Sequence, residues 1–185
     1  MTAVIKLWKN LRAGAAFERC VRPHVPRLHR LAWRLTGSAA DADDLLQETL
    51  LRAYPKRAEV VDLDAPGPWL ARVLHNAWVD RWRRKGVMRH SESLDDPDVE
   101  PTEASTSDEP LLVAVETAVL DRAIRALPEH HQVVILMHDG EGYTLQEISR
   151  ILDVPVGTLK SRLHRAREAL RERMRNGTLS SRAAC

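Results

Sequence analysis

Between Ser91 and Pro110 the sequence reads "SESLDDPDVEPTEASTSDEP", with eight Asp or Glu, no Lys or Arg, and only Leu94 and Val99 as aliphatic side chains larger than alanine. So little apolar surface cannot offset the entropy of fixing a backbone, about 1–2 kcal/mol per residue, and the stretch is expected to be a flexible tether. It divides the chain of 185 residues into two parts, each of which must build a core of its own. Apolar residues make up 44% of the whole, enough for two small cores. The expected organisation is an N-terminal extension over 1–15, a first domain over 16–90, the linker over 91–110, a second domain over 111–175 and a tail over 176–185.

Outside the linker nearly every apolar pattern has helical spacing, and no sustained two-residue alternation occurs, so the fold class is all-α. Pro23 and Pro26 limit a first helix near Ala15 to Arg22. Pro26 opens a second, with Leu28, Leu31, Ala32 and Leu35 inward and Gly37 as its stop. Ser38, followed three residues on by Asp41, caps a third, which buries Leu45, Leu46, Thr49, Leu50 and Ala53. The stretch "VVDLDAPGP" reads as a loop, and a fourth helix runs from about Pro68 to Lys85. In the second domain Val119, Leu120, Ala123, Ile124 and Leu127 line one helix, and Pro128 opens another with Val133, Val134 and Met137. "DGEGY" reads as a turn, and helices over about 145–152 and 156–174 complete the chain.

The formal net charge is only +2, but its distribution is uneven. Six basic residues and one acid lie between Arg72 and Arg89, and seven basic residues and two acids between Thr158 and Arg175, so either stretch can face a polyanion. Cys20 and Cys185 are the only cysteines, and neither belongs to a C-x-x-C pair, which fits a reducing cytosol. The longest apolar runs, such as "VVILM", are far short of a membrane span, so no membrane insertion is expected. "MTAVIKLWKNLR" lacks the long apolar stretch of a secretory signal and fits a short amphipathic helix, expected to dock on its own domain, with a membrane-surface role as the alternative.

The last two helices have helix-turn-helix spacing. Leu145, Ile148 and Leu152 point inward from the first, and Leu159 and Leu163 from the second. Ser149 is small enough for a close crossing, and Asp153 takes the turn position where a left-handed conformation is common. With Leu159, Leu163 and Ala166 buried, Ser161, His164, Arg165 and Glu168 face outward, flanked by Lys160, Arg162 and Arg167. Such a helix can read base edges in a major groove while its flanking cations neutralise phosphates.

A second basic helix, "PGPWLARVLHNAWVDRWRRK", buries Leu70, Val73, Leu74 and Ala77 and leaves Trp69, Asn76, Arg81, Arg83, Arg84 and Lys85. Aromatic rings beside cations suit single-stranded nucleic acid, in which bases stack and the backbone meets positive charge. The tryptophans read equally as core, and Trp78 is expected there. On "DADDLLQETLLRAY", Asp44, Gln47, Glu48 and Leu51 face outward. Acids in a first turn suit the helix dipole, while Leu51 beside Gln47 and Glu48 also makes a protein-docking face.

These motifs in series resemble one family, the extracytoplasmic-function (ECF) group of bacterial RNA polymerase sigma factors, over roughly Ala16 to Arg173. The resemblance rests on "DADDLLQETLLRAY", "PWLARVLHNAWVDRWRR", the acidic linker and "LPEHHQVVILMHDGEGYTLQEISRILDVPVGTLKSRLHRARE". It implies that Asp44, Gln47, Glu48 and Leu51 bind the β′ clamp helices of core RNA polymerase. It implies that Trp69, Asn76, Arg81, Arg83 and Arg84 bind the −10 element, where the loop from Val61 to Trp69 captures a flipped base. Lys160, Ser161, Arg162, His164 and Arg165 are implied to bind the −35 element. The second domain would rest on the β flap and the linker would thread toward the active-site cleft. Members usually sit inactive on an anti-sigma factor until a signal releases them. The loop "VVDLDAPGP" departs from the family in lacking its common Phe-Arg pair, and His164 stands at a position that varies among members.

Two other classes fit less of the sequence. A stand-alone DNA-binding regulator accounts for the helix-turn-helix but leaves the Asp44–Leu51 face and the tryptophan-rich basic helix unused. An enzyme or metalloprotein is not expected, because no phosphate loop, metal-binding helix or placed nucleophile is present. Cys20, His24 and His29 are near in sequence, but the prolines between them spoil a shared face. No cofactor or metal is therefore expected, and the chain should act in the cytoplasm.

Overall fold

A computed structural model describes residues 14–91 and 119–182 of the chain. Every regular element among them is helical. Residues 1–13 of the N-terminal extension, 92–110 of the acidic linker, the start of the second domain at Leu111 and Cys185 lie outside the described residues, while Ala15 and Ser91 fall within helices. The chain separates into two compact units.

The first unit holds α1 (Ala15–Val21), α2 (Val25–Thr36), α3 (Ala39–Ala53), α4 (Arg57–Val61) and α5 (Pro66–Ser91). Single 3-10 turns at Arg22–His24 and Tyr54–Lys56 join α1 to α2 and α3 to α4. Each turn carries a proline early, where a missing N–H costs nothing. Gly37 ends α2 at φ 74°, a left-handed conformation that suits glycine, and donates its N–H to the Trp33 carbonyl at 2.7 Å. Ser38 then caps α3, its hydroxyl accepting the Asp41 N–H at 3.3 Å.

Helix α3 packs against both α2 and α5. Leu28, Leu31 and Ala32 from α2, Ala42, Leu45, Leu46, Leu50 and Ala53 from α3, and Leu70, Ala71, Leu74 and Ala77 from α5 are all removed from solvent. Thr49 is buried among them because its hydroxyl donates back to the Leu45 carbonyl at 2.7 Å, leaving no unpaired donor. Phe17 and Val21 from α1 and Val60 from α4 are likewise buried, and the Phe17 ring meets Tyr54 edge-on at 5.8 Å.

The stretch expected as a loop differs from its reading. Helix α4 reaches Val61, and α5 starts at Pro66, two residues before the expected Pro68. Gly67 is buried in the first turn of α5, where an added Cβ would lie 3.0 Å from His24 Nδ1. The glycine thus permits close approach of the His24 ring and does not break the helix. On α5, Ala71 occupies the core while Val73 is only half-buried.

The second unit is made mostly of α6 (119–125), α7 (Glu129–Ile135), α8 (Leu145–Leu152) and α9 (Val156–Arg182). Burial on α6 begins at Ala123; Val119 and Leu120, one turn earlier, are exposed. Helix α7 continues into a π-helical turn, Leu136–Gly140, in which Glu141 N–H reaches back to the Leu136 carbonyl at 2.9 Å. Gly142, at φ 68°, lets the chain reverse so that Tyr143 turns inward and is buried. "DGEGY" is therefore half π-turn and half exit. Helices α7 and α9 pack together. Leu127, Val133, Val134, Met137, Ile148, Leu159, Leu163 and Ala166 are buried. Helix α9 extends to Arg182, past the expected end near 174.

Burial predicts a sharp contrast along α3. Leu46→Ala should destabilise the protein by about 2–5 kcal/mol, the usual range for a cavity in a packed core. Leu51→Ala, at a position 52% exposed, should change stability by less than about 0.5 kcal/mol. Urea denaturation of the two variants checks this, and equal losses would contradict the packing.

Candidate polymerase and nucleic-acid interface

Spacings of three and four residues place Asp44, Gln47, Glu48 and Leu51 on the side of α3 away from its leucine stripe. Asp44 and Leu51 are exposed, and Gln47 is half-buried. Glu48 is different, because its carboxylate is taken up within the protein. Oε2 accepts from Arg81 Nε at 2.6 Å, and Oε1 accepts from Arg52 Nη2 at 2.6 Å and lies 3.5 Å from Arg84 Nη2. Arg52 in turn reaches Asp80 Oδ2 with Nη1 at 2.7 Å. Burial alone would raise the Glu48 pKa, but the hydrogen bond from Arg81, with the charges of Arg52 and Arg81, outweighs it and holds the carboxyl below its ordinary 4.5. Of the expected site residues, Glu48 from the polymerase set and Arg81 from the −10 set are brought together as partners.

The remaining α5 residues form a stripe. Trp69, Arg72, Asn76 and Arg83 are separated by three, four and seven residues and share one face, opposite Leu70, Leu74 and Trp78. Arg72, Asn76, Arg83 and Arg84 are exposed and Trp69 is half-buried. Sequence reasoning left Arg72 out of the set, although its i, i+4 relation to Asn76 was the available signal. Trp78 is core at 5% exposure, as expected, whereas Trp82 stands 56% exposed beside Arg83 and Arg84. His75 packs 6.0 Å from the Trp78 ring, its Nδ1 buried without a partner. Burial lowers its pKa, against a smaller opposing hydrogen bond that the ring donates to Asn76, and so favours the neutral imidazole.

In the second unit, α8 begins with a reciprocal cap that the T-x-x-E spacing of "TLQE" signalled and the sequence reading passed over. Thr144 N–H donates to Glu147 Oε2 at 2.8 Å, and Glu147 N–H donates to Thr144 Oγ1 at 3.2 Å. The turn to α9 is closed by the Ser149 hydroxyl, which donates to the Val154 carbonyl at 2.7 Å. Asp153 has φ 57°, the left-handed turn position expected of it. On α8 Ile148 is buried as expected, but Ile151 is buried too, while Leu145 and Leu152 at the two ends are half-buried.

Helix α9 buries Leu159, Leu163, Ala166 and Leu170 and exposes Lys160, Ser161, His164, Arg165 and Glu168. Arg162 is half-buried at the edge of that face. The Ser161 hydroxyl donates to the Thr158 carbonyl at 2.8 Å, so its oxygen keeps acceptor capacity for an incoming donor. His164 Nε2 lies 3.4 Å from Glu168 Oε1. Arg167, read from sequence as a phosphate-facing flank, instead grips Asp139 through Nε at 2.9 Å and Nη2 at 2.6 Å. His138 Nδ1 joins the same carboxylate at 2.7 Å. These partners, Arg167 first, hold the Asp139 carboxyl below its ordinary 3.8. His131, on α7, is pushed below the usual imidazole range by burial and by the charges of His130, Arg165 and Arg162.

Among the described residues no group of three His, Cys, Asp or Glu is placed to hold a metal ion. Cys20 Sγ lies 3.6 Å from the Val60 carbonyl, the His24 ring packs on Gly67, and His29 Nε2 meets Asp43 Oδ1 at 3.0 Å. No helix among the described residues is long and apolar enough to cross a membrane.

Residues 20–88 match the family described as Sigma-70 region 2, and residues 117–170 match Sigma-70, region 4. A region 2 followed by a region 4 defines a sigma-70-type transcription initiation factor, and the relatives narrow it further. The chain is 31% identical over 173 residues to the ECF RNA polymerase sigma factor SigW of Bacillus subtilis, covering 87% of this chain and 90% of that one. It is 38% identical over 161 residues to the ECF RNA polymerase sigma factor SigL of Mycobacterium tuberculosis, covering 86% and 89%. Similarity to SigE of Mycolicibacterium smegmatis is 34% over 174 residues, 92% of this chain but 66% of that longer one. The chain belongs to the ECF family of RNA polymerase sigma factors. In fold it resembles the sigma factor RpoE crystallised with the anti-sigma factor NepR from Bartonella quintana, with a TM-score of 0.71 at 24% identity over 86% of this chain and 96% of that one. It also resembles CnrH solved with the cytosolic domain of CnrY, with a TM-score of 0.60 at 20% identity over 86% and 88%.

The Asp139–Arg167 pair makes a pH-dependent prediction. A carboxyl whose native pKa is depressed stabilises the fold above its unfolded value, near 3.8, and loses that contribution as pH falls through the lower native value. Asp139→Asn should therefore destabilise the protein at pH 7 by up to about 1 kcal/mol, modest because both side chains are more than a third exposed and screened by solvent. Melting curves of wild type and variant should converge as pH is taken below 3.8. A gap that persists unchanged would show that the charge is not what Asp139 contributes.

Proposed function

We propose that this chain docks on core RNA polymerase through the Asp44–Gln47–Leu51 face of α3, delivers it to promoters, and promotes strand opening. The observation that carries this reading is the one-sided chemistry of two helices in one chain. Helix α5 offers Trp69, Asn76, Arg83 and Arg84 on an exposed face, and α9 offers Lys160, Ser161, His164 and Arg165. The first set suits an unpaired strand and the second a duplex groove.

In this reading α9 enters the major groove of the −35 element, with Lys160 and Arg162 on phosphates and Ser161, His164 and Arg165 on base edges. That contact fixes register. The loop ahead of α5 then accepts a −10 base flipped from the duplex, Trp69 and Asn76 lining its place. Extruding a base costs a few kcal/mol of stacking and pairing. Polymerase docking, phosphate contacts and the pocket offset that cost, and this chain supplies no bond-breaking step. The β′ clamp helices receive α3, and the β flap receives the second unit. The factor acts in the cytoplasm, and an anti-sigma factor holds it inactive until a signal arrives. The fold likeness to the sigma factor RpoE solved with the anti-sigma factor NepR supports that last element.

The first test is co-elution of the purified full chain with bacterial core RNA polymerase, beside a Gln47→Ala, Leu51→Ala double variant. Wild type should co-elute and the variant should bind about tenfold or more weakly, as loss of contacts at the centre of an interface does. A folded wild-type chain that does not bind core polymerase would leave a stand-alone DNA-binding regulator as the better account. Once bound promoters are identified by sequencing, Arg165→Ala should lose about 1–3 kcal/mol of discrimination at one −35 position. Lys160→Ala should instead weaken binding evenly across sequences and flatten the salt dependence.

A further inference from the structure

We infer that Glu48, on the docking face by sequence, is a positioning residue that joins α3 to the DNA-facing helix α5, and that Arg81 is its counterpart and not a DNA contact. This rests on the reading of α3 as the polymerase-docking helix and α5 as the −10 helix.

The geometry is that of a joint. A single carboxylate on α3 receives Arg81 Nε on one oxygen and Arg52 Nη2 on the other, both at 2.6 Å, with Arg84 Nη2 at 3.5 Å. Arg52, also on α3, closes the loop by bonding Asp80 of α5 at 2.7 Å. The bonds thus cross between the helices in both directions, carboxylate to guanidinium and guanidinium to carboxylate. Glu48 has no idle oxygen, since each already accepts a short charge-assisted bond. A polymerase contact through this side chain would have to compete with these bonds for the lone pairs that remain.

Placement along α5 gives the joint its consequence. Arg81 sits three residues after Trp78 and seven after Leu74, on the side of α5 that carries the core. Asn76, seven residues before Arg83, lies with it on the opposite, exposed side. The apolar seam from Leu70 to Trp78 fixes the first turns of α5, but beyond Trp78 the described side chains are Val79, Asp80, Arg81, Trp82, Arg83 and Arg84, none of them in the buried core. The Glu48–Arg81 and Arg52–Asp80 bonds are what hold that stretch against α3. They set where Arg83 and Arg84 stand relative to the face that meets the polymerase, so docking of α3 aims the cations of α5.

The test uses holoenzyme assembled from the full chain and core polymerase, with core alone as baseline. The probe is a fluorescein-labelled single-stranded oligonucleotide of random sequence. Variants are Glu48→Gln, Arg81→Gln, their combination, and Arg83→Gln for comparison. Glu48→Gln should leave core affinity within about twofold but weaken single-strand binding about threefold to tenfold, the size of a coupling between contacting groups. Arg81→Gln should weaken it equally, and the double variant no further. The plot of log affinity against log salt should keep its slope in Glu48→Gln and Arg81→Gln, and lose about 0.7 in Arg83→Gln, the value for one phosphate contact to a single strand. Loss of core affinity in Glu48→Gln comparable to that of the Gln47→Ala, Leu51→Ala variant would overturn the inference. So would additive losses in the double variant, or a slope reduced by Arg81→Gln. Failure of wild type itself to bind core polymerase would instead remove the underlying functional reading. If Glu48→Gln does not fold by circular dichroism, the Arg81→Gln slope decides alone.

Discussion

A helix can bury only one stripe, and in this protein that constraint decides what each functional helix offers. Once Leu159, Leu163, Ala166 and Leu170 are inside, the 3.6-residue period leaves Lys160, Ser161, His164 and Arg165 nowhere to go but out. The same holds on α5, where burial of Leu70, Leu74 and Trp78 sends Trp69, Asn76 and Arg83 to the opposite face. The apolar residues supply nearly all of the stabilisation and, by their spacing, also aim the polar ones. A change of one position in either stripe would rotate the reading face by about 100°.

Two carboxylates refine that arrangement. Glu48 and Asp139 each grip an arginine on a helix with an exposed basic face, Arg81 on α5 and Arg167 on α9. The Asp139–Arg167 pair, more than a third exposed, contributes little stability, about 1 kcal/mol or less. Its geometric effect is larger. The Arg167 guanidinium meets Asp139 through two nitrogens, which fixes direction as well as distance. The Glu48–Arg81 pair acts beyond the last buried residue of α5, Trp78, whereas the Asp139–Arg167 pair lies within the α9 seam, between Ala166 and Leu170.

Much of this was legible in the sequence. Proline, glycine and serine marked the helix ends from Pro23 to Ser38, and apolar spacing marked the stripes. Asp153 was found because a left-handed turn residue is demanded between two helices so closely spaced. What escaped depended on contacts between residues far apart in the chain. Gly67 reads as a loop residue until the His24 ring is seen packed against it. Glu48 reads as surface on α3 because its partner Arg81 is 33 residues away, and periodicity carries no information at that range. Arg167 was misjudged for the same reason, Asp139 being 28 residues earlier. Trp82 was open between stacking and core in the sequence, and its position past the end of the apolar seam leaves it in solvent.

Internal pairing also changes what the basic stretches can do. Between Thr158 and Arg175 seven basic residues are present, yet Arg167 is already neutralised by Asp139. On α5 the same is true of Arg81. Each cation that meets a phosphate contributes to affinity by releasing counterions, with a salt slope of about 0.7–0.9 per contact, and a cation held by a carboxylate contributes none. In the proposed reading, the two joints lower sequence-independent attraction to DNA while leaving Lys160, Arg165 and Arg83 outside the internal pairs. Burial also pushes His75 and His131 toward the neutral form. On that reading, a chain with its cations limited in this way would depend less on bulk attraction and more on the proposed contacts of Arg83, Lys160 and Arg165.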